Sequence, residues 1–389
     1  MVRDHAIAFV ALAGCFKPLL TEHLPCAQSD DWCPPPQSCI AGFCEGGGKG
    51  GGGDGDATVP EANFVFTTSM TFQPGSRPNA EILKAADTQC NTLGQKLRPG
   101  RYMAWLGTDA SDAAARIAAQ TTGSPGWVRP DRKPFTHSLD DLLAGTIYFP
   151  PRIDDNGADV VAVNLQTSVA TELPAPTMGC DAGGGAVVRI GFATGDEPTW
   201  RNFDIRGCDT DVWLYCFEVD LGTAVDPPVF DSNLSLGFVT RSMYPIAAGI
   251  SALDGDCQAE GDAAGYSSRR FLALVATSTA NARSRFAGAT KPWTRFDGVV
   301  FAQMSLDKFD APLSLMPPMT PSTLPSHLVS LAAVGAHDLT TTANSNCMDW
   351  GSQALSASAG DTTLSDDLGF QRLSIDCDLS GHLYCLEAP

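Results

Sequence analysis

The cysteines of this chain repeat. Cys90 and Cys180 are 90 residues apart, as are Cys257 and Cys347, and the pairs Cys208/Cys216 and Cys377/Cys385 are each separated by eight. The last cysteine of each set lies in nearly the same pentapeptide, LYCFE at 214–218 and LYCLE at 383–387. Other anchors recur in the same order. Phe64-Val65-Phe66-Thr67-Thr68-Ser69 faces Phe238-Val239-Thr240-Arg241-Ser242, and Trp127-Val128-Arg129-Pro130-Asp131 faces Trp293-Thr294-Arg295-Phe296-Asp297. Ser138-Leu139-Asp140 returns as Ser305-Leu306-Asp307, with Pro150-Pro151 and Pro317-Pro318 following at the same distance. A unit is therefore duplicated, at 62–220 and 235–389, with 221–234 as the join. A period this long marks duplicated domains, since solenoid units run about 20 to 50 residues.

Each copy reads as α+β. In the first, Ile82, Leu83, Ala86 and Cys90 form a helical apolar stripe, so the early cysteine faces the core. The end reads as strand: Val212 to Phe217 and His382 to Leu386 are aromatic and aliphatic, with no helix cap. A helix cysteine tied to the terminal-strand cysteine would close each copy on itself, worth up to about 4–5 kcal/mol in the chain-entropy model. That reading joins Cys90 to Cys216 and Cys257 to Cys385, leaving Cys180 with Cys208 and Cys347 with Cys377 for local loops.

Thirteen cysteines point to an oxidising compartment, and the odd count needs explaining. Residues 1–14 supply a short apolar run that ends Leu12-Ala13-Gly14-Cys15. This resembles a bacterial lipoprotein signal, which implies cleavage before Cys15, lipidation of its thiol, and a mature chain held to the membrane by lipid. Twelve cysteines then remain for pairing. Four of them, Cys26, Cys33, Cys39 and Cys44, crowd a module at 15–45 too small to bury a core, so cross-links would have to order it. Two disulfides with three connectivities are open; zinc is the alternative, disfavoured by the lack of a Cys-x-x-Cys pair. The glycine-rich stretch 46–61 reads as a flexible tether, its Gly46–Asp56 part spanning roughly 18 Å as a coil.

Taken together, the early helix cysteine, Ala104-Trp105-Leu106-Gly107, Trp200 near the third cysteine and the closing LYCFE resemble C-type-lectin-like domains, in particular an endostatin-like branch of bacterial surface lipoproteins. Ala115-Arg116, Trp127-x-Arg129-x-Asp131, Leu142-x-x-Gly145-x-Ile147-x-x-Pro150 and Asp154-Asp155-x-Gly157 carry the same resemblance. It implies two tandem lectin-like, disulfide-bonded domains after a small Cys-rich module. Copy two departs from it in Leu274 for Trp105, in lacking Asp-Asp-x-Gly, and in Cys347-Met348-Asp349-Trp350 where copy one has Cys180-Asp181-Ala182-Gly183.

A net charge of −19 argues against nucleic acid and other polyanions as partners. The six histidines, His5, His23, His137, His327, His337 and His382, form no chelating motif and do not correspond between copies, so they read as surface or loop residues. Trp127/Arg129/Asp131 and Trp293/Arg295/Asp297 are ligand candidates, because alternation would put each trio on one strand face. The competing reading, structural packing with a local Arg-Asp pair, is the stronger of the two. Lectin-like folds often hold sugar through calcium, and Asp154, Asp155 and Asn156 offer oxygens, although Asp-Asp-Asn-Gly by default makes a solvated turn. The Glu-Pro-Asn-type sugar element is absent, Glu197-Pro198 reads as loop, and no cofactor is indicated. The expectation is a non-enzymatic lipoprotein of the bacterial cell envelope, a binding or adhesion module for a protein or polysaccharide, anchored by lipid to the outer membrane. A secreted carboxylate hydrolase and a purely structural envelope protein are the alternatives.

Overall fold

A computed structural model of the protein describes residues 38–40, 43–45 and 62–389, apart from 109–110, 162–167, 174–179, 181–186, 314–330, 337 and 344. The signal 1–14, Cys15, Cys26, Cys33, the tether 46–61, Pro317-Pro318, His327 and His337 lie outside these residues. Two compact units divide the chain at Ala57/Thr58. In the first, β1 (Ser38–Ile40) and β2 (Phe43–Glu45) form an antiparallel hairpin whose register sets Cys39 opposite Cys44. Both repeats belong to the second unit.

Copy one runs β3 (Asn63–Thr67), α1 (Asn79–Gly94), β4 (Tyr102–Ala104), β5 (Gly107–Thr108), α2 (Ala113–Ala118), β6 (Trp127–Val128), β7 (Pro134–Thr136), α3 (Leu139–Leu143), β8 (Ser168–Leu173), β9 (Val187–Phe192), β10 (Asp204–Gly207) and β11 (Trp213–Glu218). Copy two runs β12 (Ser235–Val239), β13 (Tyr244–Pro245), α4 (Ile250–Ala263), β14 (Phe271–Ala273), β15 (Trp293–Thr294), β16 (Val300–Ala302), β17 (Leu331–Ala333), β18 (Ser356–Asp361), β19 (Leu373–Asp376), β20 (Ser380–Gly381) and β21 (Tyr384–Glu387). The protein is thus mixed α+β, mostly sheet with few helices.

Strand order in copy one is β10-β9-β8-β11-β3-β6-β7, with β4 also on β11 and β5 also on β8. Copy two repeats this in two pieces, β14-β21-β12-β15-β16 and β17-β18-β19. Where β8 and β11 pair in parallel, through Val169/Trp213 and Ala170/Leu214, copy two keeps a parallel bridge between Ala332 and His382.

The closing pentapeptide works on both faces of its sheet. In β11, Leu214 and Cys216 join Phe64, Phe66, Ile82, Ala86 and Cys90 on the α1 side, while Tyr215 and Phe217 join Val65, Trp105, Trp127, Phe135 and Trp200 on the other. This is the period-two alternation of a strand covered on both faces, which is why the run is apolar throughout. Leu383/Cys385 and Tyr384/Leu386 divide in the same way in copy two.

Four disulfides are present among the described residues. Cys90 joins Cys216 and Cys257 joins Cys385, across 126 and 128 residues, and Cys180–Cys208 and Cys347–Cys377 close loops of 28 and 30. These are the pairs that the repeated spacing joins. Two alignments from sequence have to be corrected. Phe66 pairs with Cys216 as Phe238 pairs with Cys385, so Phe66, rather than Phe64, is the counterpart of Phe238. Arg129 donates to the carbonyl of Pro150 (3.1 Å) and Arg295 to that of Pro312 (2.9 Å), so Pro312, rather than Pro317, is the counterpart of Pro150. Copy two is shorter here because it forms no helix like α3; Leu306 instead adopts a positive φ of 48°.

The copies meet along a seam with approximate two-fold character. Gly195 bridges Leu364, Asp196 N donates to Thr363 O (2.9 Å), and Ser365 N donates to Thr194 O (3.1 Å). Residues 194, 195 and 196 occupy the positions of 363, 364 and 365 in the repeat, so each segment meets its own counterpart, the isologous pattern of a two-fold interface. Arg152 reaches across to Phe309 O (2.8 Å) and Ser365 Oγ (3.0 Å), Lys133 pairs with Asp310 (2.8 Å) and Lys308 with Asp159 (2.9 Å). Phe149 completes the seam by packing into the core of copy two. The join 221–234 is itself pinned: Val225 N donates to His137 O (2.9 Å), and Arg269 donates to Leu234 O (2.8 Å).

Candidate functional site

On copy one, α2, α3, the β8–β9 pair and the loop leading to β10 surround an open cleft of about 510 Å³. Its base is Trp105, which packs against Trp200 and Phe217 at ring distances of 5.1 and 5.0 Å. One wall is built by the start of α2 and the end of α3. Asp112 caps α2 by accepting from Ala115 N (2.6 Å), and Arg116 ties that helix inward, to Leu106 O and Asp87 (both 2.6 Å). Ser138 caps α3 through Asp141 N (3.1 Å), and α3 ends in the exposed Leu143.

The opposite wall is charged. Cross-strand pairing sets Glu172 opposite Arg189, where they form a 2.9 Å ion pair, and Arg189 also donates to Asn202 Oδ1 (2.9 Å). Four residues apart, Glu197 and Arg201 pair, with Arg201 Nε donating to Glu197 Oε1 (2.8 Å), and Trp200 Nε1 donates to Glu197 Oε2 (2.8 Å). Glu172 and Arg189 remain 44% and 39% exposed, enough to meet a ligand. Each guanidinium carries a carboxylate partner, so the wall presents balanced charge, hydrogen-bond donors and acceptors, beside the apolar Ala113, Ala114, Leu143 and Pro198. Such a mixture suits a neutral polar ligand with apolar faces.

Copy two has a second cleft of about 470 Å³, lined by Asn281, Arg283, Phe286, Met304, Ser305 and Asp307. Asn281 caps the turn Ala282–Phe286 as Asp112 caps α2, and Arg285 repeats Arg116 by donating to Ala273 O and Asp254 (both 2.6 Å). The charged wall is not repeated: Gly335, Ser358, Asp366 and Phe370 stand where Glu172, Arg189, Glu197 and Arg201 stand in copy one.

The residues singled out from sequence lie elsewhere. β6 ends at Val128 and β15 at Thr294, so the two trios do not share a strand face. The chain turns instead, Arg129 N donating to Lys133 O (2.9 Å) and Arg295 N to Val299 O (2.8 Å). Trp127 and Trp293 are buried, and their indoles donate to the carbonyls of Glu218 (2.9 Å) and Glu387 (3.0 Å). Arg129 and Arg295 are buried and paired with Asp131 and Asp297. Burial alone would raise these carboxyls, but the adjacent guanidinium charges and hydrogen bonds outweigh it and hold both below the usual range. These trios build the turn in each copy.

Asp154 Oδ1 accepts from Asn156 N and Ala158 N (both 2.8 Å). Asp155 accepts from Ser69 N (2.7 Å) and from the ammonium of Lys96 (2.6 Å), which also reaches Asn156 Oδ1 (3.4 Å). Asp154 thus closes the loop on itself, Asp155 and Asn156 hold it to residues just past β3 and α1, and among the described residues no cluster of three or more His, Cys, Asp or Glu is arranged to hold a metal ion. His137 and His382 pin backbone, contacting the carbonyls of Val225 (2.5 Å) and Thr240 (2.7 Å).

Sequence reasoning missed Glu172, Arg189, Glu197 and Arg201. Only the four-residue spacing of Glu197 and Arg201 was a local signal; Glu172 and Arg189 are brought together by strand register. In comparisons with known proteins, no family model matches the chain and no curated protein matches it in sequence.

Proposed function

We propose that the chain is a lipid-anchored protein of the bacterial envelope whose paired lectin-like domains bind a polysaccharide without transforming it, with the cleft of copy one as the contact surface. The observation that carries this reading is the cleft wall, where the part-exposed groups of Glu172, Arg189, Arg201 and Asn202, with Arg201 held by the more buried Glu197, stand beside apolar side chains. A sugar presents the same combination, hydroxyls at its edge and C–H groups on its faces. The helix-to-last-strand clasp with an inner disulfide supports the lectin-like reading. Cys15 at the end of a short apolar run supports the lipid anchor.

The test is a polysaccharide panel assayed for binding and for product. Retention that falls about tenfold in Arg189→Ala, with no product released, is the expected result; one lost bidentate contact of 1.4 kcal/mol gives that factor. Product formation abolished by Glu197→Gln or Glu172→Gln would carry the hydrolase reading instead. Binding confined to a protein would replace the polysaccharide. Mass spectrometry of the mature chain should find a diacylglyceryl adduct on Cys15.

A further inference from the structure

Around the Cys347–Cys377 disulfide, copy two carries a turn of unusual backbone. Cys347, Met348, Asp349 and Trp350 all have positive φ, at 55°, 51°, 54° and 67°. A left-handed turn of four residues that carry side chains is unfavourable and persists only where its surroundings enforce it. Here the enforcement is visible. Trp350 is buried and donates to Ala276 O (2.8 Å), Asp349 accepts from Ser278 N and Oγ (both 2.7 Å), and Cys347 is cross-linked. The product of that strain is Met348, held out into solvent at 67% exposure.

Other apolar side chains are exposed around it. Cys377 N donates to Leu355 O (2.8 Å), and Ile246 N donates to Leu379 O (3.4 Å), so the segments bearing Leu355, Leu379 and Met243 converge on this disulfide. All three side chains are exposed. In copy one, the positions of Met243 and Leu379 are held by the exposed Thr71 and Thr210. At these two positions copy two carries apolar tips where copy one has threonines, although copy one exposes Met70 and Ile205 nearby, and exposed apolar patches ordinarily mark interaction sites.

Charge indicates what would cover them. From residue 311 to 389 the only Lys or Arg is Arg372, paired with the buried Asp361, against eight acidic residues. Three of these, Asp349, Asp376 and Asp378, are exposed on the segments that carry Met348 and Leu379. Arg241, two residues before Met243, is the nearest basic residue in sequence. We propose that this face docks a basic polypeptide segment with apolar side chains of its own. Met and Leu tips adapt to a partner's apolar face, and the carboxylates steer and pair with its Lys or Arg. An anionic membrane or a second copy of this acidic face would be repelled.

The full chain is titrated with a fluorescent helical peptide bearing one Leu face and one Lys face. Binding is expected that weakens with added salt and falls about tenfold when Met243→Thr, Met348→Ser and Leu379→Thr are combined, the loss of roughly one buried apolar contact. Asp376→Asn with Asp378→Asn, which leaves the apolar tips in place, is expected to weaken it several-fold and to flatten the salt dependence. Replacing every Lys of the peptide by Glu should abolish binding. Equal affinity of wild type and the apolar variant, or no binding by wild type, overturns the proposal. So does capture by anionic vesicles, or self-association of the chain, that the apolar variant loses.

Discussion

Tyr215 and Tyr384 hold the same place in the two copies, in LYCFE and LYCLE, and both are buried to the hydroxyl. In copy one the ring lies 5.5 Å from Trp200, and its hydroxyl has no hydrogen-bond partner among the described residues. In copy two, Gly369 replaces Trp200, and Tyr384 donates to the Gly369 carbonyl at 2.7 Å. The backbone there runs equally close in both: a Cβ on Gly191 would lie 1.8 Å from Trp200 O, and one on Gly360 would lie 1.7 Å from Gly369 O. What differs is the filling. Copy one spends its volume on an indole that donates to Glu197 in the cleft wall, whereas copy two fills it with Phe309 and Phe370, next to the seam where Phe149 enters. One copy has kept an indole that holds a charged cleft wall, and its twin has filled the matching interior with phenylalanines.

The clasps are what the copies share most closely, and breaking them gives the largest expected loss. Removing Cys90–Cys216 or Cys257–Cys385 by double Ala substitution should each cost about 5 kcal/mol in the chain-entropy model, against about 3.5 for either short pair. Denaturant titration of the four variants would show whether equal loop lengths, 126 and 128 residues, give equal losses.

Next in size is the seam. Arg152→Ala removes a buried guanidinium that serves Phe309, Ser365 and Asp159, and should cost roughly 3–5 kcal/mol. If the seam couples the copies, calorimetry should resolve one transition in wild type into two in this variant.

The seam also carries two opposite pH responses. Burial would raise Asp159, but Arg152 and Lys308 outweigh it and hold that carboxyl down at about 2. Its folded value lies below the unfolded one, so its contribution is present above about pH 3.9 and lost as pH falls from there. Asp196 behaves in reverse. The residue is half-buried, yet its Oδ1 is sealed off without a hydrogen-bond partner among the described residues, and desolvation, helped by Asp361 and Glu197, pushes the carboxyl well above its usual range despite Arg295. Stability tied to Asp196 therefore declines as pH rises above about 3.9. Asp196→Asn should raise Tm by more at pH 8 than at pH 4.5, by an amount worth roughly 1–3 kcal/mol; an equal shift at both values would remove the carboxyl from this account.

The smallest effect is the sharpest comparison. Tyr384→Phe breaks a buried hydrogen bond and strands a carbonyl, costing about 1 kcal/mol, while Tyr215→Phe removes a hydroxyl without a partner and should be neutral or stabilising. Opposite signs in chemical denaturation would establish that the two interiors have diverged.

Much of the scaffold was legible from spacing. The helical stripe of Ile82, Ala86 and Cys90 and the strand character of LYCFE are local patterns, and α1 and β11 lie where those patterns put them. The trios Trp127/Arg129/Asp131 and Trp293/Arg295/Asp297 were legible as Arg-Asp pairs but not as a strand face, because a turn after two paired residues leaves no trace in apolar alternation. The cleft was hardly legible. In a chain with 44 acidic residues, neither Glu172 nor Glu197 stands out until its partners are known.

By itself, then, the sequence determined the duplication, the α+β character of each copy and which cysteines could clasp helix to closing strand. Those properties rest on local periodicity and on covalent spacing repeated in register. Only the tertiary structure decided that Glu172 meets Arg189, that residues 194–196 of one copy pair with 363–365 of the other, and that the cleft opens on copy one. Each depends on strand register and on two distant loops meeting, and the energy of such contacts belongs to pairs of residues that no single stretch of chain contains.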